Sequence, residues 1–375
     1  MFYHIITFGC QMNVHESEKI AGMLEEMGYK HSDDISNADI VVFNTCAIRE
    51  GAQDRAFGNI GALKKLKKIN KNMIIAVGGC MTQQTHIAER LYKTFPFIDI
   101  VYGTKNLHNL KEYIKNKQQT GKRQLNITDE DLIIENTPIY RTSGENAWVN
   151  IIYGCNNFCT YCIVPYVRGR ERSRKKIDIL NEVKNIINEG YKKITLLGQN
   201  VNSYGNDDPA QGNFAQLLND ICEIPGEFKL TFMTSHPKDL TDEIIETIAS
   251  QDKILKEIHL PLQSGSNKIL HSMNRKYTKE KYLEIIEKIK TKIPNVRLTS
   301  DFIVGFPGET EEDFQETCDV LKKVEYDSIF AFMYSIRNGT VAEKMLNQID
   351  QEEKHRRVNI LLGIQKEIQN GKQKD

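Results

Sequence analysis

The 375-residue chain is long enough for two domains, and its 40% apolar and 27% charged residues are ordinary for a globular protein. Lys and Arg balance Asp and Glu at 50 each, so no global positive field favours nucleic acid, and any RNA contact must come from local patches. The sequence shows neither a signal-peptide pattern nor an apolar run of membrane-spanning length. With eight cysteines, these features predict a cytoplasmic protein, without membrane contact, whose reduced thiols are available as metal ligands.

The first part of the sequence alternates short apolar strands with helices. Strands are predicted at residues 5–8, 39–43, 73–77 and 98–102, and each is followed by a helical pattern, the second of which runs from about residue 54 to residue 69. Continuous apolar strands separated by helices are typical of a parallel sheet covered on both faces. We therefore predict an open parallel α/β sheet domain over residues 1–117.

Residues 118–140 are largely polar and are predicted to form a linker. A second alternating part, residues 141–375, has six strand candidates, at 147–152, 194–197, 229–233, 257–260, 297–304 and 328–334. Six βα units predict a partial (β/α)6 barrel, which places its chemistry in the loops after the carboxyl ends of its strands. The predicted fold class is α/β throughout.

The first of those loops carries the pattern CxxxCxxC, formed by Cys155, Cys159 and Cys162. Three thiolates can bind three irons of a [4Fe–4S] cluster and leave one iron open, where S-adenosylmethionine (SAM) chelates and is cleaved reductively to a carbon radical. The alternative is a zinc knuckle, but a structural zinc site needs a fourth Cys or His nearby and none follows closely.

Cys10, Cys46 and Cys80 share a different context, because each ends a predicted strand and precedes a helix. Loops at the carboxyl ends of parallel strands converge, so these thiols can meet around a second three-thiolate [4Fe–4S] cluster. The alternative is three unrelated buried thiols, since free cysteine is common in cores. Cys222 and Cys318 lie at helical spacing from apolar residues and are interpreted as packing residues.

Two further sets are candidates for binding. Gln199, Asn200 and Gln263 are candidate SAM contacts, with turn-forming amides as the alternative interpretation. Arg168, Arg170, Arg172 and Arg174 alternate after the cluster loop and would share a face if the segment were extended. They could bind nucleic-acid phosphates or the SAM carboxylate, or form a solvated face with internal ion pairs. Arg168 and Arg170 are the candidate substrate contacts, and no catalytic acid or base is assigned.

Long motifs carry a family resemblance that covers nearly the whole chain. The sequence resembles the radical-SAM methylthiotransferases over residues 9–13 (GCQMN), 44–50 (NTCAIRE), 78–81 (GGCM), 153–174, 234–237 (TSHP), 259–266 (HLPLQSGS), 273–277 (MNRKY) and 301–310 (DFIVGFPGET). The resemblance implies two [4Fe–4S] clusters, with Cys155, Cys159 and Cys162 holding the SAM-binding one and Cys10, Cys46 and Cys80 the auxiliary one.

The implied reaction inserts sulfur at C2 of N6-dimethylallyladenosine, 3′ of the anticodon in tRNA, and methylates it. The resemblance also implies that SAM is a cofactor, that tRNA is the substrate, and that external donors supply electrons and sulfur. Family members usually end in an RNA-binding TRAM domain, which is expected to be absent here. Two relatives remain alternatives, acting on threonylcarbamoyl-adenosine in tRNA or on a ribosomal-protein aspartate. An iron–sulfur electron carrier is a third, although a carrier needs neither a barrel nor a SAM loop.

Overall fold

The computed structural model describes residues 1–47, 51–130, 132–135, 137–141 and 144–372. By the distribution of its internal contacts the chain divides into two compact units. The first comprises Met1–Gly144 together with Tyr166–Arg170, and the second comprises Glu145–Pro165 together with Glu171–Asp375.

The first unit is built on a six-stranded parallel sheet with the strand order β2-β1-β3-β4-β5-β6. Its strands are β1 (Phe2–Thr7), β2 (Lys30–His31), β3 (Ile40–Thr45), β4 (Ile74–Gly79), β5 (Ile100–Tyr102) and β6 (Gln124–Asn126). Its helices are α1 (Gln11–Glu26), α2 (Ala52–Ala62), α3 (Lys64–Ile69), α4 (Thr85–Thr94) and α5 (Leu110–Thr120).

The central strands β3 and β4 are buried on both faces, as their unbroken apolar sequence requires. Val41 and Phe43 face a core formed with α2 and α4, whereas Ile40 and Val42 face a core formed with α1 and α5. The period-two alternation of a strand therefore supplies both cores from one run of residues. This sandwiching fixes the carboxyl ends of β1, β3 and β4 at one edge of the sheet.

The second unit contains two parallel three-stranded sheets, ordered β11-β10-β7 and β12-β13-β14. A parallel bridge between Leu230 and Ile254 connects them, which makes a six-stranded partial barrel. Its strands are β7 (Asn146–Asn150), β10 (Lys193–Leu197), β11 (Lys229–Phe232), β12 (Glu257–His259), β13 (Arg297–Val304) and β14 (Ser328–Met333). A short antiparallel pair, β8 (Ile152–Tyr153) with β9 (Arg172–Ser173), brackets the loop after β7.

Helices cover the outer face of the barrel, and one large core lies between helices and strands. They are α7 (Lys176–Asn188), α8 (Phe214–Glu223), α9 (Asp242–Ser250), α10 (Asn267–Ser272), α11 (Lys279–Lys292), α12 (Glu311–Val324) and α13 (Gln351–Lys372), and the short α6 spans Val164–Arg168. Along β13, buried residues alternate with partly exposed ones, so one face of each strand packs on helices and the other faces the barrel interior.

The predicted α/β class is confirmed, and each of the ten strands expected from the sequence is present, with boundaries shifted by a few residues. Some details differ: the helix expected over residues 54–69 is two helices, α2 and α3, and the short strands β2, β6 and β9 were not predicted. The sequence of β6 is polar, and it pairs with β5 at the edge of the sheet, where no long apolar run is required. Among the helices of the described residues, none is long and apolar enough to span a bilayer.

Candidate cluster and cofactor sites

Cys10, Cys46 and Cys80 follow the carboxyl ends of the adjacent strands β1, β3 and β4. The register pairs Thr45 with Gly79, so Cys46 and Cys80 come next on neighbouring strands. The Cys80 amide donates to Thr45 O at 3.0 Å, which ties the second strand end to the third. Cys46 and Cys80 are buried, whereas Cys10 is partly exposed at the start of α1. The three thiols thus lie at one edge of one sheet.

Two glycines allow the backbones of these strand ends to come close together. Gly9 has φ +111°, and a Cβ added to it would lie 2.7 Å from Cys46 Cβ and 2.9 Å from Cys46 Sγ. Gly79 has φ +106°, and its added Cβ would lie 2.4 Å from Thr45 O. Only glycine combines this backbone conformation with this absence of volume. The Gly-Cys pairs in the sequence therefore have a steric cause.

Asn13 fastens the same edge from within α1. Its amide nitrogen donates to Phe8 O at 2.7 Å and to Thr45 O at 3.0 Å, so one side chain connects the ends of β1 and β3. In return Asn44 donates to Asn13 O at 2.8 Å. Buried side-chain amides that are satisfied in this way specify a single arrangement of the backbone. The motif residues around the cysteines thus form the support of the thiols.

A buried cation lies beside these thiols. Arg168, only 5% exposed, donates to both carboxylate oxygens of Glu16, at 2.7 and 3.2 Å, and to Asn13 Oδ1 at 3.0 Å. Burial raises the pKa of the Cys80 thiol to about 12, an effect that Arg168 opposes and that Cys46 and Cys10 reinforce. Asn13 Oδ1, which accepts from Arg168, also lies 3.9 Å from Cys10 Sγ, so the guanidinium and this thiol share a neighbour.

The loop with Cys155, Cys159 and Cys162 is held by the segment that follows α10. Asn274, with φ +59°, donates to the carbonyl oxygens of Asn157 and Phe158 at 3.2 and 3.0 Å. Thr160 donates through its amide to Met273 O at 3.1 Å and through its hydroxyl to Ser272 O at 2.8 Å. The MNRKY motif therefore buttresses the cysteine loop, a contact that sequence reasoning did not foresee.

Arg275 lies on the sulfur side of this loop. It donates to Cys159 Sγ at 3.3 Å and to the hydroxyl of Tyr161 at 3.3 Å. Burial raises the pKa of Cys155 to about 11 and that of Cys162 to about 12, in both cases with a further rise from Cys159. Burial therefore keeps the thiols of Cys155 and Cys162 protonated near neutral pH unless a metal displaces the protons.

Buried polar atoms gather near the carboxyl ends of the barrel strands. Within the described part of the chain, several of them have no hydrogen-bond partner: both side-chain atoms of Asn150, Asn200 Oδ1, Ser235 Oγ, His236 Nε2 and Gln263 Oε1. Such atoms are costly to bury, so a cluster of them indicates a polar ligand. The ammonium, carboxylate and ribose hydroxyls of SAM offer the donors and acceptors that these atoms lack.

Within this cluster His236 is a neutral donor. Its Nδ1 accepts from the Lys238 amide at 3.2 Å, which assigns the ring proton to Nε2. Burial, together with Arg275 and Lys238, holds the pKa of His236 well below its ordinary value. Asn200 is fixed in the same region by donating to Asp239 Oδ2 at 2.7 Å, which leaves its oxygen as the available acceptor. Sequence reasoning named Asn200 and Gln263 and missed Asn150, Ser235 and His236.

The arginine series does not form one face. The segment is helical up to Arg168 and forms a strand only at Arg172–Ser173, so the extended conformation that a shared face requires is absent. Arg170 is exposed, whereas Arg174 is buried and donates to Glu182 at 2.7 Å. The two predicted substrate contacts therefore differ, because Arg168 is buried against Glu16 and Arg170 is exposed. Gln199 is partly exposed in the loop after β10.

The inner face of the barrel presents aromatic surface that the sequence did not reveal. Phe330 and Phe332 alternate with core residues of β14 and are 53% and 50% exposed. His259 on β12 contacts Phe330 edge-on at 6.3 Å, and its Nε2 lies 3.5 Å from Asp301 Oδ2. Exposed aromatics beside a polar pair are suited to a planar base with an apolar substituent.

The described residues contain no group of three or more His, Cys, Asp or Glu side chains spaced to hold one metal ion. A [4Fe–4S] cubane has different requirements, because each thiolate binds its own iron. Two sets of three neighbouring thiols, each with a buried guanidinium nearby, fit such clusters, and the unsatisfied polar atoms at the barrel fit SAM.

Two family models match the sequence. The radical SAM superfamily matches residues 149–321, and "Uncharacterized protein family UPF0004" matches residues 2–103. A tRNA-2-methylthio-N(6)-dimethylallyladenosine synthase of Clostridium botulinum (strain Okra / Type B1) is 55% identical over 373 residues, covering 99% of this chain and 83% of the relative. The chain belongs to this synthase family.

Another synthase of the family, from Carboxydothermus hydrogenoformans, is 53% identical over 370 residues, with 98% of this chain and 83% of the relative covered. Two solved structures share the fold at low identity. The radical SAM methyltransferase TsrM from Kitasatospora setae has TM-score 0.65 and 12% identity, covering 91% of this chain and 74% of that one. The cobalamin-dependent S-adenosylmethionine radical enzyme OxsB has TM-score 0.63 and 14% identity, and the match covers 97% of this chain and 56% of OxsB.

The cofactors implied by the resemblance, two [4Fe–4S] clusters and SAM, are those of this synthase family. The match to the radical SAM model begins within β7 and includes the whole cysteine loop. The match to the other model spans the three strand-end cysteines of the first unit.

Proposed function

We propose that this protein converts N6-dimethylallyladenosine, 3′ of the anticodon in tRNA, into its 2-methylthio derivative. The observation that carries the proposal is 55% identity to a curated synthase over 99% of the chain. Substrate specificity depends on pocket shape, and identity this high over the full length favours the dimethylallyl substrate over the threonylcarbamoyl and ribosomal alternatives.

For the clusters, we propose that Cys155, Cys159 and Cys162 bind the SAM-binding one and Cys10, Cys46 and Cys80 the auxiliary one. Support comes from their strand-end positions, their mutual influence on thiol pKa and the glycines that give them room. With the cofactors bound, radical, sulfur-transfer and methyl-transfer chemistry becomes available for a C2–H bond that is neither acidic nor a leaving group.

The residues of the chain then have three tasks. The six thiols would bind the clusters as thiolates, and the guanidinium groups of Arg168 and Arg275 would offset part of the negative charge. Asn200 and Gln263 supply acceptors for the SAM ammonium, while Ser235 and His236 supply hydroxyl and imidazole donors. Gln199 stays a candidate for the same cofactor.

The substrate base is proposed to lie against the inner face of the barrel. Phe330 and Phe332 offer apolar surface for the dimethylallyl group, and the pair of His259 and Asp301 offers hydrogen bonds to the ring edge.

Reconstituted protein with SAM, sulfide and dithionite tests the function. Nucleoside mass spectrometry should show 2-methylthio-N6-dimethylallyladenosine in tRNA that carries the dimethylallyl group, and none in tRNA that lacks it or with the Cys155→Ala variant. Cleavage of SAM without a thiolated nucleoside, or equal activity on threonylcarbamoyl-adenosine, would contradict the proposal. An electron carrier would not cleave SAM.

We propose Arg170, rather than the paired and buried Arg168, as the contact to tRNA phosphate. Arg170 is exposed, and a guanidinium binds phosphate in a bidentate manner. Arg170→Ala should weaken tRNA binding and lower the salt dependence of log Kd by about one phosphate contact, which filter binding at several salt concentrations measures. An unchanged slope would remove Arg170 from the interface. We also propose that external donors supply electrons and sulfur to the protein. The proposed location is the cytoplasm, where tRNA is modified.

A further inference from the structure

Arg275 differs from the other buried arginines in its partners. Among the residues that the structure describes, four arginines are buried: Arg168, Arg174, Arg275 and Arg357. Arg168 pairs with Glu16, Arg174 with Glu182 and Arg357 with Glu309. Throughout the residues that the structure describes, no carboxylate lies within 4.0 Å of the Arg275 guanidinium. A guanidinium that stays charged at all relevant pH values is therefore buried without an acidic side chain.

None of the four groups that accept hydrogen bonds from Arg275 is a carboxylate, and one of them is a predicted cluster ligand. Its nitrogens donate to Tyr277 Oη at 3.0 Å, Tyr161 Oη at 3.3 Å, Pro261 O at 3.1 Å and Cys159 Sγ at 3.3 Å. A buried charge with only dipolar partners is costly, and a paired anion removes much of that cost. Coordination by iron would convert Cys159 into a thiolate, an anion in direct contact with the guanidinium.

We propose that Arg275 is the counter-charge of the SAM-binding cluster and that its hydrogen bond to Cys159 Sγ favours the reduced state. The inference rests on the proposed ligand role of Cys159. One electron from an external low-potential donor adds one negative charge to an already anionic site. No proton moves, because Arg275 is charged in both states. Hydrogen bonds to cluster sulfurs and nearby charge are known determinants of cluster potential.

The test uses the full chain with Cys10, Cys46 and Cys80 all replaced by Ala, so that only one cluster contributes to the signal. Dithionite titration with redox mediators, followed by electron paramagnetic resonance, gives the midpoint potential. In Arg275→Met, we expect the ratio of reduced to oxidised cluster at a fixed potential to fall about tenfold, which is a midpoint lower by about 59 mV. Arg275→Lys, which keeps the charge and loses the planar fork, should show a smaller fall.

Arg297→Met is the matched control, because it removes an exposed guanidinium from the same unit. Its midpoint should equal that of the parent. An Arg275→Met protein that holds its full iron and keeps the parent midpoint would overturn the proposal. If Arg275→Met does not retain iron, the decisive measurement is made on the parent protein, in which Cys10, Cys46 and Cys80 are replaced by Ala and Arg275 is kept.

That measurement is the hyperfine coupling between the reduced cluster and ¹⁵N-labelled arginine. We expect a ¹⁵N coupling in the parent background and its loss in Arg275→Lys, and a parent without the coupling would refute the hydrogen bond. Neither readout needs tRNA. Failure of the methylthiolation assay would therefore leave the redox result intact, and an unchanged midpoint potential would not affect the methylthiolation result.

Discussion

At the scale of single residues, small differences in surroundings separate residues that look alike in the sequence. Gly9 and Gly28 both have positive φ, at +111° and +84°. A side chain at Gly9 would meet Cys46, whereas nothing lies within 4 Å of the corresponding position at Gly28. One glycine is therefore required by the cysteine site and the other only by its backbone conformation.

Gly9→Ala should displace Cys46 and remove the auxiliary cluster. We expect about half of the iron and sulfide of the reconstituted parent, since only the cluster of the second unit would remain. Gly28→Ala is the matched control and should cost roughly 1–2 kcal/mol of stability through its φ while keeping all iron. Iron and sulfide analysis decides between them, and full iron in Gly9→Ala would show that Cys46 does not need this space.

Arg168 and Arg170 also look alike in the sequence but should differ in their effect on stability. Removing Arg168 leaves the buried carboxylate of Glu16 without its cation, so Arg168→Ala should cost about 3–5 kcal/mol. Arg170→Ala changes an exposed side chain and should stay within about 0.5 kcal/mol. Urea denaturation of the apoprotein measures both, and equal losses would mean that the Glu16 pair contributes little.

At the scale of elements, the helix after β13 begins with a reciprocal cap. Thr310 accepts from the Asp313 amide at 3.3 Å, and Asp313 accepts from the Thr310 amide at 2.9 Å. Asp313 also binds Lys268 at 2.6 Å and Ser266 at 2.7 Å, which joins the start of α12 to α10. A single carboxylate therefore satisfies a helix terminus and fastens a neighbouring element.

This carboxylate should make stability depend on pH. Although burial alone would raise it, the hydrogen bonds lower the pKa of Asp313 from 3.8 to about 2. A depressed pKa stabilises the fold above the unfolded value, and the contribution is lost as the pH falls from about 4 toward 2. Asp313→Asn should lose about 2 kcal/mol at pH 7 and progressively less below pH 4.

Denaturation of the apoprotein between pH 7 and pH 3 measures this difference. Asp319→Asn is the control, because Asp319 lies exposed on the same helix. Its free energy of unfolding should follow that of the parent at every pH. A constant gap between Asp313→Asn and the parent would show that the hydrogen bonds, and not the charge, stabilise this cap.

At the scale of the whole molecule, the proposed function requires two independent clusters. Cys10→Ala and Cys155→Ala should each lose about half of the iron, and the double variant should lose nearly all of it. Cys222→Ala is the matched control, because Cys222 is a buried thiol that packs in the core of the second unit. Loss of all iron in one single variant would mean that the six thiols do not form two separate sites.

Much of the fold could be read from the sequence, because hydrophobic burial follows local periodicity. The runs in β3 and β4 are buried on both faces, so their position was visible as unbroken apolar sequence. β6 was missed because an edge strand needs no such run. The division of residues 54–69 into two helices also has no strong signal in that lysine-rich segment.

The candidate site, too, was only partly predictable from the sequence. Six cysteines were found from spacing and strand-end context, and their ligand roles remain predictions. The roles of the arginines could not be read from alternation, because Arg168 is buried against Glu16, which is distant in sequence, whereas Arg170 is exposed. The inner-face aromatics were hidden for a similar reason, since Phe330 and Phe332 look like core residues until the barrel turns them away from the helices.

The sequence by itself determined the order of strands and helices, the family and the three thiols of each proposed cluster. These depend on apolar periodicity, on short motifs and on the repeated position of a cysteine at the end of a strand. Only the tertiary structure decided which buried charges are paired, which polar atoms lack partners and why Arg275 has a sulfur atom where other buried arginines have a carboxylate. Those properties depend on distances between residues far apart in the chain, and a linear pattern carries no measure of such distances.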